Sequence, residues 1–267
     1  MSSRALGDAP GDELRITVLG ALPEIHPGDD LPAMLAAVAA NAGVRPGDVV
    51  AIAHKPVSKA EGRIVRLADV QPGDEALHLA AETGKSPELC QVILGESRRI
   101  LRRRRSLLVC ETNLGFVCAN AGVDASNTAE GTVVLLPTDP DASARRLQHA
   151  LSRVARGRVG VVITDTHGRA FRRGLVNIAV GVAGFAPVLD HRGGRDREGR
   201  MLVATDQALG DEIAAAAGML MGKASGRPAV LVRGLATSPS PGSLHDLVRD
   251  PAHDVFRSEV DADGVVR

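Results

Sequence analysis

The segment PDASARRLQHALSRVARGRVGVVIT, residues 140–164, combines a helical periodicity with a strand periodicity. Asp139 can cap a helix that begins at Pro140 and ends at Val154, and the apolar residues at positions 144, 147, 151 and 154 share one face of it. The β-branched run from Val159 to Thr164 then predicts a buried strand. The chain therefore contains both kinds of element.

The same two patterns recur along the chain in an irregular order. Apolar β-branched runs predict further strands at 16–19, 49–53, 132–136, 178–182 and 229–232, and apolar periodicity predicts helices at 31–41, 87–101 and 211–221. Strands and helices do not alternate regularly, which favours an α+β fold with mixed sheets and helices over a doubly wound parallel sheet. No internal repeat is visible in the sequence.

The composition excludes several classes of partner. The chain has 267 residues, of which 44% are hydrophobic and 24% charged, so it is long and apolar enough to bury a large core. It contains four Phe and no Trp or Tyr, which argues against a binder that stacks nucleic-acid bases. Lys plus Arg and Asp plus Glu both number 32, so no net charge attracts nucleic acid or an acidic membrane.

The cysteines and the apolar stretches predict a cytoplasmic protein. Cys90, Cys110 and Cys118 show no CxxC spacing, which is typical of buried thiols in a reducing compartment. The N-terminus lacks the apolar core of a signal peptide, and the longest uncharged stretch, 174–189, is too short and too rich in glycine to span a bilayer.

Changes in composition divide the chain into three parts. Residues 1–13 are expected to form a flexible N-terminus, and residues 14–235 the folded domain, whose body is expected to end near residue 235. Residues 236–267 begin with the linker-like sequence ATSPSPGS and are expected to form a linker and a tail that packs on the body, with a short amphipathic piece at 244–248.

A basic cluster, Arg102–Arg105, follows Arg98 and Arg99 near the end of the helix predicted at 87–101. Such a run is most often a solvated helix terminus whose positive charge complements the helix dipole. The alternative is a surface that faces an anion.

One candidate for chemistry is the segment from Thr164 to Arg172. The apolar strand is expected to end at Asp165 and Thr166, where the chain opens into a loop that a ligand can reach. Carboxylate and hydroxyl oxygens suit Mg²⁺ or Mn²⁺, and Arg169 and Arg172 could bind phosphate or carboxylate oxygens with two hydrogen bonds each. The alternative is a turn in which Asp165 caps backbone amides, with the arginines paired to surface acids.

Two further segments carry suitable groups. Asp124 and Asn127 lie three residues apart in a polar segment rich in small residues, and Asp124 could share a metal ion with Asp165. The segment 54–62 follows a predicted strand and offers two lysines to phosphate. His26, His54 and His167 adjoin these segments, but such histidines are more often surface or hydrogen-bonded residues. The signatures GxxxxGK[ST], GxGxxG, GxSxG and HExxH are absent.

Six segments, in this order, resemble the coenzyme F420-0:L-glutamate ligases, and the resemblance covers residue 14 to about residue 257. They are LPEIHPGDDL (22–31), VSKAEGR (57–63), GFVCANAGVDASN (115–127), LPTDPDASA (136–144), TDTHGRAFR (164–172) and PAVLVRG (228–234).

The resemblance implies a ligase of the cytoplasm that joins L-glutamate to the lactyl carboxylate of F420-0. It implies GTP as co-substrate, an acyl phosphate as intermediate, and divalent metal ions, Mn²⁺ or Mg²⁺, with K⁺ as a further cation. It also implies an unusual α+β fold that forms an intertwined homodimer. Some relatives carry a fused nitroreductase-like domain, and the present chain is similar to the ligase part alone.

The matching motifs also imply roles for particular residues. Asp124 and Asp165 match ligands of one metal ion, and Thr166 matches a ligand of a second. The positions that match GTP contacts are Leu22, Pro23, Glu24, Ile25, His54, Lys59, Asn127, Gly222 and Lys223.

The chain departs from its relatives at two of these positions. His54 stands where many relatives have a small hydroxyl residue. Lys223 lies in a loop where some relatives have an acidic or amide metal ligand, so the second metal ion is expected to rely more on phosphates and water. Arg169 and Arg172 are expected to stabilise the anionic reactants during catalysis.

Two other functions stay open at this point. A metal-dependent phosphohydrolase or phosphotransferase could use Asp165 as its nucleophile, although the haloacid-dehalogenase pattern requires Asp at the position of His167. A deazaflavin- or nucleotide-binding protein without catalytic activity is the other alternative.

Overall fold

The computed structural model describes residues 13–222 and 226–254, and these contain both helices and several β-sheets. The strands are β1 Arg15–Val18, β2 Val49–Ala53, β3 Ile64–Arg66, β4 Ser97–Arg104, β5 Leu107–Thr112, β6 Val117–Ala119, β7 Thr132–Val134, β8 Gly160–Arg169, β9 Arg172–Ala183, β10 Leu189–Asp190, β11 Asp206–Gln207 and β12 Ala229–Arg233. The helices are α1 Leu31–Asn41, α2 His54–Ala60, α3 Asp74–Thr83, α4 Pro87–Gly95, α5 Pro140–Ala155 and α6 Leu209–Met221. Four short 3₁₀ turns lie at Leu67–Asp69, Asn120–Gly122, Leu244–Asp246 and Pro251–His253.

The central sheet has the strand order β1-β12-β2-β8-β9. Strands β2 and β8 are parallel, and the other neighbouring pairs are antiparallel. Strand β2 is apolar throughout because both faces of the sheet are covered. Val50 and Ile52 pack with Leu35 and Leu147 beneath α1 and α5, whereas Val49 and Ala51 pack against α6 on the opposite face.

A smaller sheet, β4-β5-β6, packs with α3 and α4 around a separate cluster that includes Leu79, Ile93 and Leu108. Cys90, Cys110 and Cys118 are all buried free thiols, as the sequence predicted. The mixture of helices with parallel and antiparallel strands confirms the mixed fold class.

Most of the predicted elements are confirmed. Helix α1 covers residues 31–41 as predicted, and Asp139 caps α5 by accepting a hydrogen bond from the Ala142 amide at 2.8 Å. Helix α6 begins two residues before the predicted start, at Leu209. On α5 the buried position of the last turn is Ala155, whereas Val154 is partly exposed.

The helix predicted at 87–101 is wrong beyond Gly95. The chain leaves α4 at this glycine, which has low helix propensity, and continues as β4 in a hairpin with β5. The arginine cluster therefore lies on an edge strand and its turn, not at a helix end. Pairing with β5 overrides the helical preference of arginine, and Arg99 and Arg103 form ion pairs with Glu111 and Glu82 at 2.8 and 3.1 Å.

The expectation of a loop at Asp165 and Thr166 is also wrong. Strand β8 continues to Arg169 because β9, which begins at Arg172, pairs with it in a long hairpin. The sequence signal for the strand ends at Thr164 since the following residues are polar, and polar side chains do not prevent the backbone from pairing. Asp165 and Thr166 therefore have fixed positions on a strand.

The segment after residue 235 contacts the body through a buried carboxylate. Asp141, in the first turn of α5, accepts hydrogen bonds from the Val182 amide at 2.8 Å, the Leu244 amide at 2.9 Å and the Ser243 hydroxyl at 2.9 Å. Leu244 is buried in the same core cluster as Leu147 of α5. The predicted amphipathic piece is a short 3₁₀ turn here. Residues 1–12 of the predicted N-terminus and 255–267 of the predicted tail lie outside the described residues.

No helix within residues 13–222 and 226–254 combines the length and the apolar character that a membrane span requires.

Helix α5 lies so close to β9 that a glycine is required at their contact. A Cβ atom on Gly181 would lie 2.6 Å from the carbonyl oxygen of Pro140. Gly181→Ala is therefore expected to destabilise the fold by about 2 kcal/mol, because the helix or the strand must shift. Thermal unfolding tests this. Gly168→Ala, whose Cβ would meet open space, is the control, and an equal effect of both substitutions would contradict the close approach.

Candidate active site

Two neighbouring strands place Asp165 beside His54. In the parallel pair, Ala53 of β2 is the register partner of Thr164 of β8. The residues that follow, His54 and Asp165, therefore lie side by side at the carboxyl ends of the two strands. His54 begins α2 directly after β2, and its Nε2 lies 3.4 Å from Oδ1 of Asp165. His54 is buried, with 2% of its surface exposed. The sheet itself thus brings an imidazole and a carboxylate together.

Asp165 is held in its ionised form. Burial alone would raise the pKa of this carboxyl group, but His54 beside it, with a smaller contribution from His167 and the Thr166 amide, keeps the pKa below the usual value. The Thr166 amide donates to Oδ1 at 2.6 Å. A mostly buried carboxylate that stays charged at neutral pH is a suitable ligand for a cation.

His167 lies two residues after Asp165, on the same face of β8. Its ring packs edge-to-face on Phe116 with 5.5 Å between the centroids, and burial lowers its pKa. Neither ring nitrogen has a hydrogen-bond partner within the described part of the chain. The general expectation of a surface or hydrogen-bonded histidine is therefore wrong for His167, whereas His26 is exposed.

Asp124 is paired with Lys55, the residue after His54. Lys55 Nζ lies 2.8 Å from Oδ2 of Asp124 and also donates to the hydroxyl and carbonyl oxygens of Ser126. The Ser126 amide donates to Oδ1 of Asp124 at 2.7 Å. Burial would raise the pKa of Asp124, but Lys55 and Ser126 together lower it. The two predicted metal-binding carboxylates thus contact two consecutive residues.

Asn127 ends the turn that Asp124 begins. It is exposed and has a positive φ of 56°, a conformation that asparagine tolerates better than most residues. The turn holds the Asn127 side chain three residues from the carboxylate, at the surface. Its predicted GTP contact stays a prediction.

Helix α2 also brings two predicted GTP-binding segments together. Lys59 lies one turn after Lys55 on the same face of the helix, and its Nζ lies 2.5 Å from Oε1 of Glu24. The hydrogen bond and charge of Lys59 lower the pKa of Glu24. Pro23 and Glu24 are exposed, whereas Ile25 is buried in the main core and Leu22 packs against it. Ile25 and Leu22 therefore hold this segment in place.

Thr166 faces the side of β8 opposite to Asp165. Its hydroxyl donates to Oδ1 of Asn177 on β9 at 2.9 Å, and the Asn177 amide lies 3.8 Å from the sulfur of Met221. Adjacent residues of a strand point to opposite faces, so one metal ion cannot easily take both Asp165 and Thr166. Gly222 follows Met221 at the end of α6 and is exposed. Lys223 lies outside the described residues.

The structure does not place Arg169 and Arg172 beside Asp165. Both are exposed at the end of the β8–β9 hairpin, and Arg169 donates to the carbonyl of Arg173 at 2.6 Å. Arg169 lies four residues beyond Asp165, a distance of about 13 Å along the strand. Their catalytic role stays a prediction.

The donor groups fit divalent metal ions. Among residues 13–222 and 226–254, no three His, Cys, Asp or Glu side chains converge on one point. The protein could therefore supply only part of a coordination shell at each position, with Asp165 and Thr166 on opposite faces of β8. Metal ions that act on a nucleotide are commonly bound this way, with phosphate and water oxygens as the remaining ligands.

Lys55 is one of the two lysines that the sequence offered to phosphate, and in the structure it contacts Asp124 directly. One residue of this site, Asn177, was not indicated by the sequence. Asn177 contacts Thr166 through the pairing of β8 with β9. That register cannot be read from the composition of either strand.

The structure thus places the mostly buried, ionised Asp165 beside His54, and Asp124 beside Lys55, the next residue of the chain. Comparison with known proteins identifies the class. The model of the F420-0:Gamma-glutamyl ligase family matches residues 20–234. The chain belongs to this family, whose members are ligases, and it is an enzyme that forms an amide bond.

Its relatives include proteins from several organisms. Coenzyme F420:L-glutamate ligase of Methanopyrus kandleri is 44% identical over 249 residues, which cover 91% of this chain and 98% of the relative. The protein of the same name from Methanothermobacter thermautotrophicus is 44% identical over 241 residues, covering 88% and 96%. That of Archaeoglobus fulgidus is 43% identical over 237 residues, covering 88% and 93%.

Proposed function

We propose that this enzyme joins L-glutamate to coenzyme F420-0 in a reaction driven by GTP. The observation that carries the proposal is the mostly buried, ionised Asp165 beside His54, with the next residue, Lys55, paired to Asp124, in a chain of the F420-0:γ-glutamyl ligase family. Phosphate-bearing substrates need positive charge and residues that hold metal ions. The carboxyl ends of β2 and β8 offer Lys55 for the first and the carboxylates of Asp165 and Asp124 for the second.

The chemistry has two steps. A carboxylate oxygen of F420-0 attacks the γ-phosphorus of GTP, so that GDP leaves and an acyl phosphate forms. The amine of glutamate then attacks the acyl carbon, the carbon–oxygen bond to phosphate breaks, and the nitrogen loses a proton. The products are the amide, GDP and inorganic phosphate. Activation is needed because a carboxylate is itself a poor acylating agent.

The residues have distinct roles in this proposal. Asp165 and Asp124 hold one divalent ion, Mn²⁺ or Mg²⁺, and Thr166 contributes to a second. When bound, these ions neutralise negative charge on the triphosphate. Lys55 and Lys59 present their ammonium groups on one face of α2 and bind phosphate oxygens. Asp165 has a fixed position on β8, whereas Lys55 and Asp124 must exchange their ion pair for phosphate and metal contacts when the substrates bind.

An isotope experiment tests the mechanism. F420-0 labelled with ¹⁸O in the lactyl carboxylate is incubated with GTP, glutamate and Mn²⁺, and the products are analysed by mass spectrometry. One labelled oxygen must appear in the released phosphate if that carboxylate is phosphorylated. Glutamyl product with no label in the phosphate would exclude the acyl phosphate, and phosphate release without any glutamyl product would favour a phosphohydrolase.

Lys59→Ala is expected to raise the KM for GTP about tenfold, because a charge-assisted contact with phosphate is lost, and to leave the binding of F420-0 unchanged. Steady-state titration of GTP measures the effect. Lys85→Ala, in the connection between α3 and α4, is the matched control. A loss confined to F420-0, or an unchanged GTP titration, would contradict the assignment of Lys59.

We also propose that the enzyme is a homodimer and that an apolar surface on the hairpin and α6 forms part of the contact. Phe171, Leu175 and Met219 are 90%, 65% and 76% exposed, so covering them in a dimer would remove a large apolar area from water. The double variant Phe171→Ser, Leu175→Ser is expected to raise the dimer dissociation constant at least about tenfold. Light scattering during gel filtration measures this, and Val203→Ser, also exposed, is the control.

A further inference from the structure

The surroundings of His54 are not those of an ordinary hydrogen-bonded histidine. Its Nε2 is fully buried, yet no correctly aligned hydrogen-bond partner exists for this atom in the described part of the chain. The neighbouring Oδ1 of Asp165 is 3.4 Å away, beyond the usual range of about 2.7–3.2 Å for an N–H···O hydrogen bond. An unpaired buried nitrogen is costly, so its position requires an explanation.

The other ring nitrogen fixes the orientation of the imidazole. Nδ1 lies 3.2 Å from the hydroxyl of Ser58, one turn further along α2, and Ser58 is itself fully buried. The imidazole has two arrangements here: with its hydrogen on Nε2 it faces and stabilises the Asp165 carboxylate, and with its hydrogen on Nδ1, donated to Ser58, Nε2 presents a lone pair beside that carboxylate. Histidines that bind metals are commonly oriented in this way, by a hydrogen bond from the nitrogen that does not bind the ion.

The distance between the two groups fits two ligands of one ion. Ligand atoms that bind a metal at about 2.1–2.2 Å, at angles between 90° and 110°, lie roughly 3.0–3.6 Å apart. The separation of 3.4 Å between Nε2 and Oδ1 falls within this range. A lone pair on each of two such atoms is unfavourable without a cation between them and becomes favourable with one.

We propose that His54 Nε2 is a direct ligand, together with Asp165, of the divalent metal ion at this site. The inference rests on the proposed function for the presence of the ion and adds its nitrogen ligand. His54 and Asp165 form the pair that the structure already brings together, whereas Asp124 joins them only by exchanging its contact with Lys55 for the ion. An imidazole nitrogen strengthens binding of transition-metal ions relative to Mg²⁺, which prefers oxygen. The site therefore selects a transition-metal ion, and a histidine in place of a small hydroxyl residue is the cause of that selectivity.

Pulsed electron paramagnetic resonance of the full chain with Mn²⁺ tests the proposal without requiring activity. Imidazole nitrogen bound directly to Mn²⁺ gives a resolved ¹⁴N coupling. The wild type is expected to show this coupling with one Mn²⁺ per chain, either alone or with GDP, and His54→Gln is expected to lose it. His149→Gln, an exposed histidine on α5, is the control and is expected to keep it.

Metal selectivity gives a second measurement. His54→Ser is expected to weaken Co²⁺ binding at least about tenfold and to change Mg²⁺ binding less than about threefold. Ser58→Ala keeps the ligand and removes its orienting hydrogen bond, so it is expected to have a smaller effect of the same sign. Circular dichroism shows whether each variant is folded, and Ser58→Ala provides the answer if substitutions of the buried His54 do not fold.

The outcomes separate this inference from the proposed function. If Mn²⁺ binds with oxygen ligands only, or if His54→Gln keeps the ¹⁴N coupling, His54 is not a ligand and is only a polar neighbour of Asp165. The metal-dependent ligase can then still be correct. If Mn²⁺ does not bind at all, the inference is wrong, and ligation measured with Mg²⁺ decides separately on the proposed function.

Discussion

Asp165→Asn is expected to lower kcat for glutamate ligation by at least about 10³-fold, because the variant loses the charge that holds a cation beside the phosphates. The side chain keeps its size, so the fold should be preserved. Asp124→Asn is expected to cause a similar loss, and it also leaves Lys55 without its partner carboxylate. Ligation is measured as glutamyl product by mass spectrometry, with thermal unfolding as the check on folding.

Asp190→Asn is the matched control for both substitutions. Asp190 is a carboxylate paired with a basic side chain, Arg192, but it is exposed on β10. Its loss is expected to leave ligation unchanged. Turnover close to that of the wild type in either Asp165→Asn or Asp124→Asn would eliminate the proposed metal site.

Asp141→Ala is expected to have the largest effect on stability, about 2–4 kcal/mol, since it leaves the buried amides of Val182 and Leu244 and the Ser243 hydroxyl without their acceptor. For a chain of this size the melting temperature should fall by about 5–10 °C. Calorimetry or circular dichroism measures the shift.

Asp139→Ala, two residues before Asp141, is the comparison variant and is expected to lose less stability. It removes only the exposed cap of the same helix, which is worth about 1 kcal/mol. If the two variants melt at the same temperature, the carboxylate of Asp141 does not join the segment after residue 235 to the sheet.

The sequence allowed prediction of elements whose signal is local. Helix α1 and the cap of α5 follow from apolar spacing and from Asp and Pro at the right positions, and strand β2 follows from an uninterrupted apolar run. Strand β4 could not be predicted in this way. Its arginines favour a helix by intrinsic propensity, and only the pairing with β5 makes them a strand.

The same distinction applies to the site. Asp165, Asp124 and Lys59 were identifiable because they lie in motifs shared with a family. The contact of His54 with Asp165 depends on the parallel register of β2 and β8, strands that are more than a hundred residues apart in sequence. The contact of Thr166 with Asn177 depends on the hairpin. Sequence patterns give the residue types of a site, whereas strand pairing determines which of them meet.

The arginines of β4 have a consequence for solubility. An edge strand exposes backbone groups that can pair with the same strand of another copy and so begin a growing aggregate. Two β4 strands brought together would place rows of guanidinium groups against each other, and Arg102 and Arg104 are exposed along this edge. Electrostatic repulsion therefore protects the open edge. Phosphate or sulfate at high concentration, which screens and binds these groups, should be the condition under which the enzyme is most prone to associate through it.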